Sequence, residues 1–293
     1  METLTVGCKI NLGLKIVGKR PNGYHELDSI FYPLSTPADT LEIEITNFGQ
    51  SPKITIQSKS QEIDKDNNTL TKCYQLWQKE VAAPPSLAIN LIKGIPIGAG
   101  LGGGSSDAAA LLKFLNSTLP SPLDNTALNQ LAQKIGADVP FFIDPAPAKI
   151  TGIGEIITKI QLDLSPYSLI LVSPKLKIDT TWAYHAFDAQ NLGQEHNPDY
   201  LALTKDDFSI TYHVSAAHKA KLSLDNDLEQ VVLPKYPVLL KIKRELQELG
   251  ALASAMTGSG SSIFGLFPKD PVRASWIKET LADSCWPAMV FDL

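Results

Sequence analysis

Pro96-Ile97-Gly98-Ala99-Gly100-Leu101-Gly102-Gly103-Gly104-Ser105-Ser106 stands between an apolar run, Leu87-Ala88-Ile89-Asn90-Leu91-Ile92, and the helix-forming stretch Asp107-Ala108-Ala109-Ala110-Leu111-Leu112. The order is strand, glycine loop, helix. Five of the seven positions from 98 to 104 are glycine, which leaves the backbone free to turn its N–H groups inward. The helix start behind the loop adds its partial positive charge. Such a segment holds a polyphosphate. An unliganded glycine turn is the plainer reading, but each glycine held in an ordered segment costs roughly 0.5–1 kcal/mol relative to alanine.

Two common phosphate loops fit poorly. A Walker A loop needs Gly-Lys-Ser/Thr at its end, and here Gly103 is followed by Gly104, with no lysine before Ser105. Gly98-x-Gly100-x-x-Gly103 matches the dinucleotide fingerprint by letter. The acid expected to bind a ribose would be Asp124, which sits in the loop Leu119-Pro120-Ser121-Pro122-Leu123-Asp124 rather than at a strand end. The fingerprint should also follow the first strand of the fold, whereas several strand-like runs precede it here.

The rest of the chain sets limits. Its 293 residues suffice for two domains. Hydrophobic and charged fractions of 44% and 19% are those of a soluble globular protein. A net charge of −5 gives no reason to expect nucleic acid or an anionic membrane as partner. No apolar run approaches the roughly 18 residues of a membrane span, and the N-terminus lacks the pattern of a signal peptide. Cys8, Cys73 and Cys285 are widely spaced, as expected of reduced thiols in a cytoplasmic protein. The histidines form no metal-ligand motif.

Strands are expected over Thr3–Val17, Leu27–Leu34, Thr40–Thr46, Lys53–Gln57 and Leu87–Ile92. Asn67, Asn68 or Thr69 can cap a helix to about Ala82, and Asp124 or Asn125 one over Ala127–Ile135. The segment 191–207 is polar and reads as a surface insertion. Further on, Ser168–Ser173, Ile263–Phe267 and Ala288–Phe291 read as strands, and Thr180–Ala189, Asp227–Leu233, Pro237–Leu249 and Pro271–Ala282 as helices. This is an α+β protein of two layered domains, 1–155 and 156–293.

The glycine–serine run resembles the phosphate motif of the GHMP kinases. Four more segments carry the resemblance in order: Lys9-Ile10-Asn11-Leu12-Gly13-Leu14, Arg20-Pro21-Asn22-Gly23-Tyr24-His25-Glu26-Leu27, Gly136-Ala137-Asp138-Val139-Pro140, and Thr257-Gly258-Ser259-Gly260-Ser261-Ser262. The resemblance implies the two-domain GHMP kinase fold, each domain a mostly antiparallel sheet packed on helices, with the active site in the cleft between them. Gly23-Tyr24-His25 points to the branch that phosphorylates a cytidine-diphosphate methylerythritol in the non-mevalonate isoprenoid route, rather than homoserine or mevalonate. A non-catalytic ligand sensor of the same fold is the alternative of another class.

The resemblance also assigns roles. Asp138 is implied as general base for a tertiary hydroxyl, with Lys9 beside it to stabilise developing charge. Asn11 lies on the same strand face as Lys9 and is implied to meet substrate hydroxyls. Tyr24 and His25 are implied to recognise cytosine, with Thr181 and Tyr184 closing that subsite. ATP would lie on backbone N–H groups from Gly98 to Ser106, with Lys93, Asn67 and Asn68 towards the adenine. Mg2+ is implied as cofactor, with Ser106 as a possible ligand and no carboxylate cluster to name the site. The glycines at 258 and 260 fit a loop packed on the first one or on the substrate diphosphate. The expected assembly is a monomer or weak homodimer.

Overall fold

Polarity alternates along the N-terminus and builds the first strand. β1 (Glu2–Lys19) turns Cys8, Ile10 and Leu12 to one buried face and Lys9 and Asn11 to the other. A turn at Pro21-Asn22-Gly23 leads to β2 (His25–Phe48), which runs back antiparallel along β1. The two strands expected at 27–34 and 40–46 are therefore one long strand. Bulges opposite it, between Val6 and Cys8 and between Asn11 and Leu14, let the pair bend. The computed structural model describes residues 1–48, 52–64, 66–81, 83–190, 210–215, 218–222, 224–284 and 286–293. The insertion expected at 191–207 and Cys285 lie outside the described residues.

β3 (Ile54–Ser58), α1 (Thr69–Trp77), β4 (Pro85–Ile92), α2 (Gly103–Ser117), α3 (Asn125–Ile135), α4 (Val139–Ile143), β5 (Ala148–Gly152) and β6 (Ile156–Lys159) complete the first half. Its sheet has the order β3-β4-β2-β5-β6, with β1 also paired to β2. All pairs are antiparallel except β3 with β4. The first sheet thus continues to Lys159, past the division expected at 155. Helix α1 stops at Trp77, short of the expected Ala82. Tight turns from Leu76 to Lys79 and from Trp77 to Glu80 end it, and the Tyr74 hydroxyl donates to the Pro85 carbonyl where the chain enters β4. Helix α2 begins at Gly103, inside the glycine motif rather than after it.

β7 (Tyr167–Val172), α5 (Thr180–Gln190), β8 (Ile210–Ser215), β9 (His218–Leu222), α6 (Glu229–Lys235), α7 (Pro237–Glu248), β10 (Ala253–Met256), β11 (Ile263–Pro268), α8 (Pro271–Asp283) and β12 (Ala288–Asp292) form the second half. Its main sheet is antiparallel throughout, β10-β11-β7-β12, and β8 and β9 form a separate hairpin.

Apolar burial, at roughly 25 cal/mol per Å2, is distributed over three clusters. In one, Tyr74, Trp77, Leu112, Leu115 and Leu131 lie under the first sheet. In another, Leu239, Ile242, Leu246 and Ile277 lie under the second. The third joins the halves: Cys8, Ile10 and Leu12 of β1 pack with Leu169, Leu171, Ala255, Phe264 and Leu266 of the second sheet. The apolar face of β1 is thereby the seam of the molecule, and its opposite face carries Lys9 and Asn11. Among the described residues, no helix is long and apolar enough to cross a membrane.

Candidate active site

Two cavities meet across the glycine loop. One, of about 530 Å3, is lined by Lys9, Tyr24, His25, Asp138, Thr181 and Tyr184 among others. The second, of about 740 Å3, is lined by Asn67, Lys93, Lys177 and the run from Pro96 to Ser105. Gly98, Gly100 and Gly102 line both. A third cavity of about 720 Å3 lies against β1 and α2 and includes Ser106 but neither Lys9 nor Asp138.

Within the loop, Ala99 and Leu101 bury their side chains, so their backbone is what the cavities meet. The first N–H groups of α2, from Gly103 to Ser105, lie ahead of its first intrahelical bond, Ser106 N to Gly102 O at 2.9 Å. The start of α1 approaches the same place, where a Cβ on Gly104 would stand 3.1 Å from Thr69 Oγ1. Two helix N-termini therefore border the second cavity, a setting suited to an anionic chain. Ser105 lines that cavity, but Ser106 does not. The Ser106 hydroxyl is buried and donates to the Gly7 carbonyl at 2.6 Å, which turns it away from the phosphate side.

The second glycine loop packs on the first. Ser262 N donates to Ala99 O at 3.2 Å, and Thr257 Oγ1 to Gly100 O at 3.2 Å. Of the two positions open for glycines 258 and 260, the structure supports contact with the first loop. Asn226 holds the second loop from below, its amide donating to Met256 O at 2.7 Å and Gly258 O at 2.8 Å.

Lys93 lies in the nucleotide-side cavity, but it is paired. Its ammonium bonds Asp39 and, at 3.0 Å, Asp107. Asp39 also accepts from Gly94 N and Ile95 N, each at 2.8 Å. Burial pushes the Asp107 carboxyl up to about 7, against the opposing pull of Lys93, and its Oδ1 has no hydrogen-bond partner. Lys93 is thus the neutralising centre of two buried carboxylates under the loop. Asn67 and Asn68 both line the cavity, and Asn68 also caps α1 by accepting from Thr71 N at 3.0 Å. Asp124, the would-be ribose ligand, caps α3 by accepting from Ala127 N at 2.8 Å.

On the other side of the loop, Lys9 is buried, with 4% of its side chain exposed, and stands 3.7 Å from Asp138 Oδ2. Its Nζ donates to Asn11 Oδ1 at 2.5 Å and Gly100 O at 3.1 Å, and lies 4.6 Å from the centre of the Phe31 ring. Burial lowers the Lys9 pKa from its ordinary value, and Asp138 opposes that shift. Asp138 precedes the short α4 but makes no capping bond, and 32% of its side chain is exposed. A buried cation and an accessible carboxylate together can hold a hydroxyl group and take its proton. Asn11 is buried, and its Nδ2 donates to Ser29 Oγ at 3.0 Å. The Asn11 amide thus helps to fix Lys9, and Asn11 lines the same cavity as Lys9 and Asp138.

Tyr24 is 59% exposed at the cavity rim. The ring on Tyr184 is His25, stacked at 4.8 Å between centroids and 26° between planes. Burial, then the Asp138 charge, pushes the Tyr184 phenol up to about 12. His25 Nε2 lies 2.6 Å from Asp188 Oδ1, and Lys19 Nζ lies 2.6 Å from Asp188 Oδ2. Thr181 is exposed at the same cavity, and its neighbour Thr180 bonds Ser259 at 2.7 Å.

Sequence reasoning missed Lys177, Phe31 and Asp188. The Lys177 stem crosses the loop, with Cγ 3.1 Å from where a Cβ on Gly98 would stand. A lysine just ahead of a helix carries no local mark of this. Phe31 was legible only as a strand residue, and Asp188 as a surface position on a helix.

The N-terminal domain model of the GHMP kinases matches residues 68–144, and their C-terminal model residues 213–284. A 4-diphosphocytidyl-2-C-methyl-D-erythritol kinase of Lawsonia intracellularis is 46% identical over 277 residues, covering 90% of this chain and 88% of that protein. The kinase of the same name from Bacteroides fragilis is 42% identical, covering 89% and 90%. Among solved structures, a 4-(cytidine 5'-diphospho)-2C-methyl-D-erythritol kinase superposes with a TM-score of 0.75 at 30% identity, over 99% of this chain and 98% of that one. A homoserine kinase from Cytophaga hutchinsonii, at 15% identity, TM-score 0.64 and coverage of 99% and 94%, shares the fold.

Proposed function

The chain belongs to the GHMP kinases and, within them, to the 4-diphosphocytidyl-2-C-methyl-D-erythritol kinases, and on that premise we propose that it transfers the γ-phosphoryl group of ATP to the C2 hydroxyl of that substrate. The products are ADP and the 2-phosphate, within the non-mevalonate route to isoprenoid precursors. The observation that carries this reading is the pair of Lys9 and Asp138, 3.7 Å apart and beside the loop that separates the two cavities.

In this reading ATP lies along Pro96–Ser105, its phosphates on the two helix N-termini. Lys177 supplies a cation on that side, since Lys93 is held by Asp39 and Asp107. The acceptor occupies the other cavity, with its hydroxyl at Asp138. Asp138 takes the hydroxyl proton as the oxygen attacks, and Lys9 stabilises the charge that develops on the transferring group. Tyr24 and His25 take the cytosine.

Magnesium enters this reading with ATP, as the counter-ion that lowers the charge of the phosphates. Among the described residues there is no group of three acidic, imidazole or thiol side chains to cage it, and the Ser106 hydroxyl is turned away. In this reading the chemistry the ion would supply is neutralisation of phosphate charge beside the loop from Pro96 to Ser105.

The test is direct. The purified protein is given ATP, Mg2+ and diphosphocytidyl methylerythritol, and ADP and a new phosphomonoester are followed, the latter by phosphorus NMR. Turnover with homoserine or mevalonate and none with the cytidyl substrate would overturn the assignment, and binding of both ligands with no turnover of any acceptor would identify a sensor. A second result is expected at the base. Tyr24→Ala removes a stacking surface worth roughly 1–3 kcal/mol. It raises the KM for the cytidyl substrate about 10-fold or more and leaves the KM for ATP unchanged. Equal rises in both would assign Tyr24 a structural role instead.

A further inference from the structure

Tyr184 and Asp188 stand four residues apart on α5, and both reach the same imidazole. One stacks on the face of His25, with centroids 4.8 Å apart, and the other meets its edge at Nε2, 2.6 Å away. Residues at this spacing lie on one side of a helix, so α5 grips the ring in two perpendicular directions. The ring itself is nearly buried, with 10% of its side chain exposed. Among the described residues, Asp188 is the polar partner of its ring nitrogens.

Chemistry settles which nitrogen carries the proton. An ionised carboxylate only accepts hydrogen bonds. Asp188 is held ionised: burial alone would raise its pKa, but Lys19 and His25 keep it below the ordinary value. Nε2 must therefore be the donor, and in the neutral ring Nδ1 is left as an acceptor. An acceptor at this place suits the exocyclic amino group of cytosine, which donates. It opposes the carbonyl that uracil carries at the same ring position.

We propose that Asp188 is a positioning residue for base selection: it fixes the proton of His25 on Nε2, so that Nδ1 accepts from an amino-pyrimidine and rejects a keto-pyrimidine. This rests on the reading above that the cytidyl group lies at His25. Lys19 is part of the device. It donates to Asp188 Oδ2, so the carboxylate offers acceptors on both sides, one to the lysine and one to the ring.

The informative variant is Asp188→Asn. Its single carbonyl oxygen is drawn to the Lys19 ammonium, which leaves the amide N–H2 facing His25. A donor there forces Nε2 to accept and moves the ring proton to Nδ1. The wild-type protein should favour the cytidine-diphosphate substrate over its uridine-diphosphate analogue. Asp188→Asn should narrow that ratio of kcat/KM by roughly 10-fold or more, the scale of one mispaired polar group. The change should lie in the KM for the pyrimidine substrate, with the KM for ATP unaltered. Asp188→Glu, which keeps two acceptors, should retain the preference.

Nitrogen-15 NMR of the histidine rings gives a readout that needs no turnover, and its wild-type arm needs no variant. Neutral His25 of the wild-type protein should show the Nε2–H form, and Asp188→Asn the Nδ1–H form. Wild-type His25 with its proton on Nδ1, or an unchanged cytidine-to-uridine ratio in Asp188→Asn, would overturn the role of Asp188. A wild-type protein inert towards the cytidyl substrate would overturn the functional reading instead.

Discussion

Asp138→Asn lowers kcat by about 100-fold or more, the usual scale for losing a general base, and leaves the KM for ATP near its wild-type value. The substitution keeps the shape and one hydrogen-bonding oxygen but removes the group that accepts a proton. Because Asp138 makes no capping bond and is a third exposed, the helix behind it does not depend on the carboxylate. The change also withdraws the negative charge that opposes desolvation of Lys9. The Lys9 ammonium keeps Asn11 Oδ1, the Gly100 carbonyl and the Phe31 ring as partners, but its pKa moves further down. Raising the pH therefore does not restore activity, since it removes a proton from the one remaining charged group of the pair. Single-turnover phosphoryl transfer with saturating ATP measures the effect directly. A rate near wild type would remove Asp138 from the chemistry.

Gly100→Ala damages fold and nucleotide binding together, and for a different reason. Gly100 has φ near +78°, a conformation that costs an L-residue roughly 1–2 kcal/mol. Its new Cβ would lie 2.2 Å from Thr257 O and 3.1 Å from Gly260 O. Both are backbone atoms of the second loop, tied to the second sheet through β10, so neither can swing aside. The two loops must separate. We expect a fall of roughly 5–10 °C in Tm, taking a few kcal/mol at the usual sensitivity of a chain this size, and a rise of 10-fold or more in the Kd for ATP. Gly98→Ala is the control. Its φ is similar, near +66°, but its new Cβ meets the Lys177 side chain at 3.1 Å, and a flexible stem can move. Calorimetry of the two variants separates close backbone approach from φ alone. Equal losses of Tm would show that the contact between the loops contributes nothing.

Much of the site was legible locally. The glycine run between strand and helix marks a phosphate cradle through its own backbone requirements. Alternation along β1 puts Lys9 and Asn11 on one face whatever lies opposite. Asp124 reads as a cap from its place before a helix, and it is one. Where the reading went astray, the deciding partner is far away in the chain. Lys93 looks like an unpaired cation on the adenine side until Asp39 and Asp107 close on it. Ser106 looks like a loop hydroxyl until the first turn of α2 rotates it onto Gly7.

The base subsite divides in the same way. Tyr24 and His25 are adjacent in sequence, and their presence could be read there. On our proposal the ring proton on His25 is set by Asp188, which pairs with Lys19 of β1 only when α5 and β1 are brought together across the seam. Local sequence determined the strand, the loop and the helix start, because backbone freedom and side-chain alternation act over a few residues. Tertiary structure decided which of the charged and polar side chains remain free for a ligand. A buried charge has to find its counter-charge, and that partner is chosen by packing over the whole chain.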